Sequence, residues 1–119
     1  MVDDDWMNRE IMEARLVSAG FTVLTAHNGE EALKLVTQQP PDLILLDVRM
    51  QGLSGYDVCG RLKTQTATRS IPILLVTALD TEEARERSRI AGADGLIAKS
   101  CPSTLLLDHV HQLLHIKQA

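Results

Sequence analysis

The stretch Pro41-Asp42-Leu43-Ile44-Leu45-Leu46-Asp47-Val48-Arg49-Met50-Gln51-Gly52-Leu53-Ser54-Gly55 decides the fold. Its first half is a short apolar run, Leu43 to Leu46, and an unbroken run of this length reads as a strand covered on both faces, the pattern of a parallel sheet. Its second half starts on an acid, Asp47, and passes through Gly52 and Gly55, so the strand ends in a turn-rich loop. A second run, Ile73-Leu74-Leu75-Val76, follows Pro72 as the first follows Pro41. Weaker runs occupy Phe21 to Ala26 and Gly95 to Ala98.

Outward from these runs the apolar period becomes helical. Met7, Ile11, Ala14 and Val17 form one stripe ended by Gly20, and Ala32, Leu33 and Val36 form another ended by Pro40. Thr81 followed by Glu82 and Glu83 is a helix start with the acids placed for the dipole, and Gly92 is its stop. Ser103 after Pro102 opens a last helix whose Leu106, Val110, Leu113 and Leu114 repeat at core-facing spacing. Strand and helix in alternation predict right-handed βαβ units, one parallel sheet and helices on both faces.

The 119 residues suit one domain over 1–119, with no internal repeat or linker. With 45% hydrophobic and 24% charged residues the chain has a globular composition. Twelve basic against 16 acidic residues give a net charge of −4, which argues against direct nucleic-acid or anionic-membrane binding. The apolar runs are too short to span a bilayer and the N-terminus is acidic, so a cytoplasmic chain is expected. Cys59 and Cys101 have no partner at metal-ligand spacing and are expected as free thiols.

In a doubly wound sheet, ligands bind beyond the carboxyl ends of the strands. Those ends carry Asp3, Asp4 and Asp5 after Val2, Asp47 after Leu46, Thr77 after Val76 and Lys99 after Ala98. Clustered carboxylates repel unless they hold a cation or a proton. Oxygen-only donors favour a hard ion, and Mg2+ fits best because it takes one or two carboxylates and leaves room for phosphate oxygens. A carboxylate beside such an ion is a nucleophile toward phosphorus. A hydroxyl (Thr77) and an ammonium (Lys99) suit the phosphoryl oxygens, the cation being worth about 3 kcal/mol in a transition state.

The ordered set Val2-Asp3-Asp4, Leu45 to Gly55, Val76-Thr77-Ala78 and Lys99 resembles the receiver domain of two-component response regulators, over essentially the whole chain. The resemblance implies a flavodoxin-like, five-stranded doubly wound sheet of order 2-1-3-4-5. It implies Asp47 as phosphoacceptor, and Mg2+ held by Asp4, by Asp3 through water, by Asp47 and by the main-chain carbonyl of Arg49. Thr77 and Lys99 would bind the phosphoryl group, and Thr77 would move toward it, carrying the face of the fourth helix and fifth strand, a face that also suits a homodimer. The donor would be a phosphohistidine of a histidine kinase or phosphotransfer protein. The downstream effector is not readable, no output domain is visible after Lys117, and the chain is expected to promote its own phosphorylation and dephosphorylation without being an enzyme. Arg49 and Leu79 are expected to flank the attacking water and tune the lifetime of the phosphorylated state.

Four positions depart from the family pattern. Only Met1 and Val2 precede Asp3, which shortens a central strand, exposes unpaired backbone and points to a shortened chain or a misplaced start, or else to another chain that lends the missing strand. Leu96 stands where an aromatic ring is usual, which weakens the expected switch or leaves it to packing of Leu96. Ser100 stands where a cis proline is usual, and because a non-proline cis bond costs about 3 kcal/mol, a trans bond and a displaced Lys99 are expected. Gln51 replaces a proline.

Taken singly, the Asp3–Asp5 run is a solvated charge run, Thr77 a β-branched strand residue and Lys99 a surface lysine. Their order around Asp47 is what argues for a site, with Asp4 and Asp5 as an alternative register for the acid pair. The histidines receive no role, and Arg85, Arg87 and Arg89 read with Glu82, Glu83 and Glu86 as a solvated ion-paired face. Two rivals remain open. One is a receiver-like binding module independent of phosphorylation. The other, far weaker, is a haloacid-dehalogenase-type phosphatase, which would need an acid where Arg49 follows Asp47.

Overall fold

The computed structural model describes residues 1–3, 5–50 and 52–118. Among the described residues, five helices, α1 (Trp6–Ser18), α2 (Gly29–Gln38), α3 (Gly55–Thr64), α4 (Glu82–Ala91) and α5 (Ser103–Gln118), and strands β1 (Ile44–Asp47), β2 (Ile73–Thr77) and β3 (Gly95–Ala98) follow in the order α1-α2-β1-α3-β2-α4-β3-α5. The strands are parallel in the order β1-β2-β3, with Leu46 opposite Leu75 and Leu75 opposite Leu96.

The expected strands at Met1–Val2 and Phe21–Ala26 are each reduced to a bridge. Val2 pairs in parallel with Leu46 on one side and with Ala26 on the other. Its amide donates to the Leu45 carbonyl (2.8 Å), its carbonyl accepts from Asp47 (2.9 Å), and Ala26 donates to the Met1 carbonyl (2.9 Å). Across the sheet the order is therefore Ala26, Val2, β1, β2, β3, in keeping with 2-1-3-4-5, but among the described residues only three strands are continuous.

Side chains alternate across the strands. Ile44, Leu46, Ile73 and Leu75 enter a core with Ala32, Val36, Val58, Cys59 and Leu62, whereas Leu45, Leu74, Val76 and Ile97 enter a second core with Leu16, Leu106 and Val110. α2 and α3 thus cover one face, α1 and α5 the other, which is why β1 and β2 read as unbroken apolar runs. Leu46, Ile73, Leu74 and Leu75 are wholly buried, each contributing roughly 1.5–3 kcal/mol of transfer free energy.

α4 begins and ends where its sequence signals fall: the Thr81 side chain accepts from Ala84, and Gly92 caps the end at φ 85°. The Met7–Ile11–Val17 stripe of α1 is half exposed (54%, 49% and 54%), and Leu16 is instead the buried position, with Met12 packed beside it. α1 carries two adjacent apolar lines, and contact with the Leu45 and Leu106 side chains chooses between them. α3 was not anticipated as a separate element. Its signals were a capping box, Ser54 with Asp57 three residues on, and the Val58–Cys59–Leu62 spacing. Cys59 and Cys101 are free thiols. No helix among the described residues is long and apolar enough to cross a membrane.

Candidate functional site

Asp47 is the last residue of β1, tied by its amide to Val2 and followed by a loop that closes where the Gly55 amide donates to the Val48 carbonyl (2.9 Å). Gly55 lies so tightly under this turn that a Cβ would overlap the Asp47 carbonyl and the Val48 backbone. The glycine is needed for close approach.

Lys99 follows β3, and its amide donates to the Thr77 carbonyl (2.7 Å). Its ammonium donates to Asp47 Oδ2 at 3.0 Å and lies 3.7 Å from Asp3 Oδ2. All described peptide bonds are trans, as expected with Ser100 after Lys99. The displacement expected of Lys99 does not occur, because its backbone is anchored on β2.

Asp3 and Asp47 are both buried, and one ammonium faces the two carboxylates. Burial pushes the Asp47 carboxyl up to about 6; the Lys99 hydrogen bond works against this and the neighbouring Asp3 charge adds to it. Asp3 Oδ1 accepts from the Asp5 amide (3.0 Å), and the Asp3 carbonyl accepts from the Arg9 guanidinium (2.8 Å). The site is thus negative, buried and rich in hard oxygen donors, which suits a divalent cation. Asp4 and Gln51 lie outside the described residues. Among those described, no group of three or more His, Cys, Asp or Glu residues converges. Arg49 stands beside the site, its amide 3.4 Å from Asp47 Oδ1.

Thr77 ends β2 and shares with Asp47, Lys99, Ala84 and Arg87 a cleft of about 480 Å3. Its hydroxyl is engaged by nearby backbone, donating to the Leu79 carbonyl (3.1 Å) and accepting from the Leu79 amide (3.3 Å). Of the residues expected at the rim, Asp3, Asp47 and Lys99 therefore meet directly, and Thr77 lies alongside. Leu96 is half-buried against the first core.

Asp5 leaves the acid pair: exposed, it caps α1 by accepting from the Met7 amide at 3.0 Å. Arg9 was missed, and nothing in its sequence context marks it beyond a place in the first turn after an acid run. Arg87 departs from the ion-paired face, since its guanidinium stacks 4.3 Å from the Tyr56 ring centroid, while Arg85 pairs with Asp80 and Arg89 with Glu86.

Comparison with known proteins places this geometry. Residues 1–111 match the family model described as the response regulator receiver domain. The chain is 38% identical over 117 residues to the response regulator PleD of Caulobacter vibrioides, covering 98% of this chain and 26% of that protein. The probable transcriptional regulator ycf27 of Cyanidium caldarium is 41% identical over 99 residues, 83% of this chain and 39% of its own length. The chain thus spans well under half of these relatives. Among solved structures it is similar to response regulator protein TrrA of Thermotoga maritima in complex with Mg(2+)-BeF, with TM-score 0.84, 35% identity, and 94% of each chain covered.

Proposed function

The chain belongs to the response regulator receiver domain family and is a receiver domain of two-component signalling, and from that premise we propose that Asp47 is its phosphoacceptor. The observation that carries this reading is the contact of a buried strand-end carboxylate with one ammonium, Asp47 Oδ2 to Lys99 Nζ at 3.0 Å, beside a second buried acid.

With its carboxyl near 6, Asp47 is mainly ionised at neutral pH and presents an oxygen lone pair to phosphorus. The new P–O bond forms as the bond to the donor's leaving group breaks, and the leaving group departs with that electron pair. Lys99 exchanges its hydrogen bond with Asp47 for one to a phosphoryl oxygen, and Thr77 turns its hydroxyl from Leu79 toward another. Receiver domains bind Mg2+, and here Asp3 (through water), Asp4, Asp47 and the Arg49 carbonyl would hold it. When bound, the ion neutralises charge on the transferring group. The donor is a histidine kinase or phosphotransfer protein, and the α4–β3 face carries the change to an effector or to a second copy.

Intact mass after incubation with Mg2+ and phosphoramidate tests this. One phosphoryl group is expected on the natural chain and none on Asp47→Asn. Labelling of the variant, or none of the natural chain, overturns the assignment; in the second case the chain acts as a phosphorylation-independent binding module.

A further inference from the structure

α4 carries three arginines, and they are not held alike. Arg85 donates through Nε and Nη2 to the two Asp80 carboxylate oxygens (2.8 and 3.1 Å), and Arg89 donates in the same way to Glu86 (3.1 and 2.6 Å). Both guanidinium groups are thus committed to bidentate carboxylate contacts. Arg87 stands four residues after Glu83, the spacing at which such pairs form on a helix. Among the described residues it nevertheless joins no ion pair, and its guanidinium lies 4.3 Å from the Tyr56 ring centroid.

Arg87 and Tyr56 line the same cleft of about 480 Å3 as Asp47, Thr77 and Lys99. Asp47 and Thr77 are buried whereas Arg87 is exposed, so the arginine stands at the mouth and the acceptor carboxylate at the inner end. A phosphoryl group carries roughly −1.5 to −2 charges at neutral pH. It must approach a chain of net charge −4 and pass Glu83, which also lines the cleft. Lys99 is already held by Asp47 at 3.0 Å and faces Asp3 at 3.7 Å. Arg49 belongs to the loop after Asp47, and Arg87 is the cation that a helix presents at the mouth. Stacking on a ring at an exposed site is a weak hold. A planar guanidinium binds a phosphoryl group through two parallel charge-assisted hydrogen bonds, which are stronger, so an arriving anion draws Arg87 off the ring.

Resting on Asp47 as the phosphoacceptor, we propose that Arg87 is a phosphodonor-recognition residue: its guanidinium leaves the Tyr56 ring, takes the phosphoryl oxygens of the donor at the cleft mouth, and passes the group inward to Lys99 and Thr77. Tyr56 is the resting place of that cation and keeps it from pairing with Glu83. The P–O bond forms at Asp47, inside the cleft, so Arg87 acts on capture of the donor rather than on the bond-making step. Its action is electrostatic at an exposed position, and salt weakens it.

The test is a time course of phosphorylation by acetyl phosphate with Mg2+, followed by intact mass, for the natural chain, Arg87→Ala, Arg87→Lys and Tyr56→Leu. Arg87→Ala is expected to lower the second-order rate constant about 5-fold at about 20 mM salt and less than about 2-fold at about 500 mM, where the charge is screened. The rate at saturating donor stays the same. Arg87→Lys, which keeps the charge, restores most of the loss, and Tyr56→Leu, which releases the guanidinium, does not lower the rate constant. A stack that only braced α3 against α4 would slow Tyr56→Leu and Arg87→Ala alike, and that result overturns the proposal. So does a slowing by Arg87→Ala that salt leaves untouched. A natural chain that takes no phosphoryl group removes Asp47 as acceptor and the proposal with it, whereas labelling at Asp47 with equal rate constants for the natural chain and Arg87→Ala removes the proposal alone.

Discussion

At Asp47, burial and the nearby Asp3 charge raise the carboxyl while a single ammonium holds it down. Lys99 is thus a resident counter-ion that must yield when a phosphoryl group or a divalent ion arrives. Lys99→Ala is expected to slow phosphorylation by phosphoramidate roughly 100-fold, the cost of one removed electrostatic donor. Mg2+ should bind the variant at least as tightly, because a competing cation is gone; isothermal titration separates the two effects. Thr77 is legible as a rim residue from its place after Val76, but its hydroxyl bond to Leu79 is not. That bond is a local choice of a side chain near its own backbone.

Between residues and fold, the helix starts carry much of the specification. Ser54 accepts from the Asp57 amide at 3.2 Å, and Asp57 Oδ2 accepts in return from the Ser54 amide at 3.2 Å. Since α3 begins at the loop that shapes Asp47, its cap holds both the helix and the site. Ser54→Ala is expected to lower the urea unfolding free energy by about 1 kcal/mol with an unchanged m-value. α4 was readable from Thr81 and Gly92 because caps are local chemistry. The buried line of α1 was not, because two apolar stripes compete and only the second core selects Leu16.

For the molecule as a whole, the buried Asp47 carboxyl makes stability depend on pH. Its value rises from 3.8 in the free chain to about 6 in the fold, so the folded chain binds more protons between those limits and stability falls as pH rises there. The contribution is fully present below pH 3.8 and is lost as pH rises through 6, and Asp47→Asn should flatten this part of the profile in urea titrations from about pH 4 to 6. The amino-acid sequence by itself determined the parallel α/β class, the strand-end placement of Asp3, Asp47, Thr77 and Lys99, and the caps of α4, because buried runs, strand ends and caps are read from neighbours in the chain. Only the tertiary structure decided that Lys99 reaches Asp47 from a trans loop, that Asp5 caps α1, and that Leu16 is the buried position of α1. These depend on how β3 is anchored on β2 and on which side chains meet in the second core, distances that no local pattern carries.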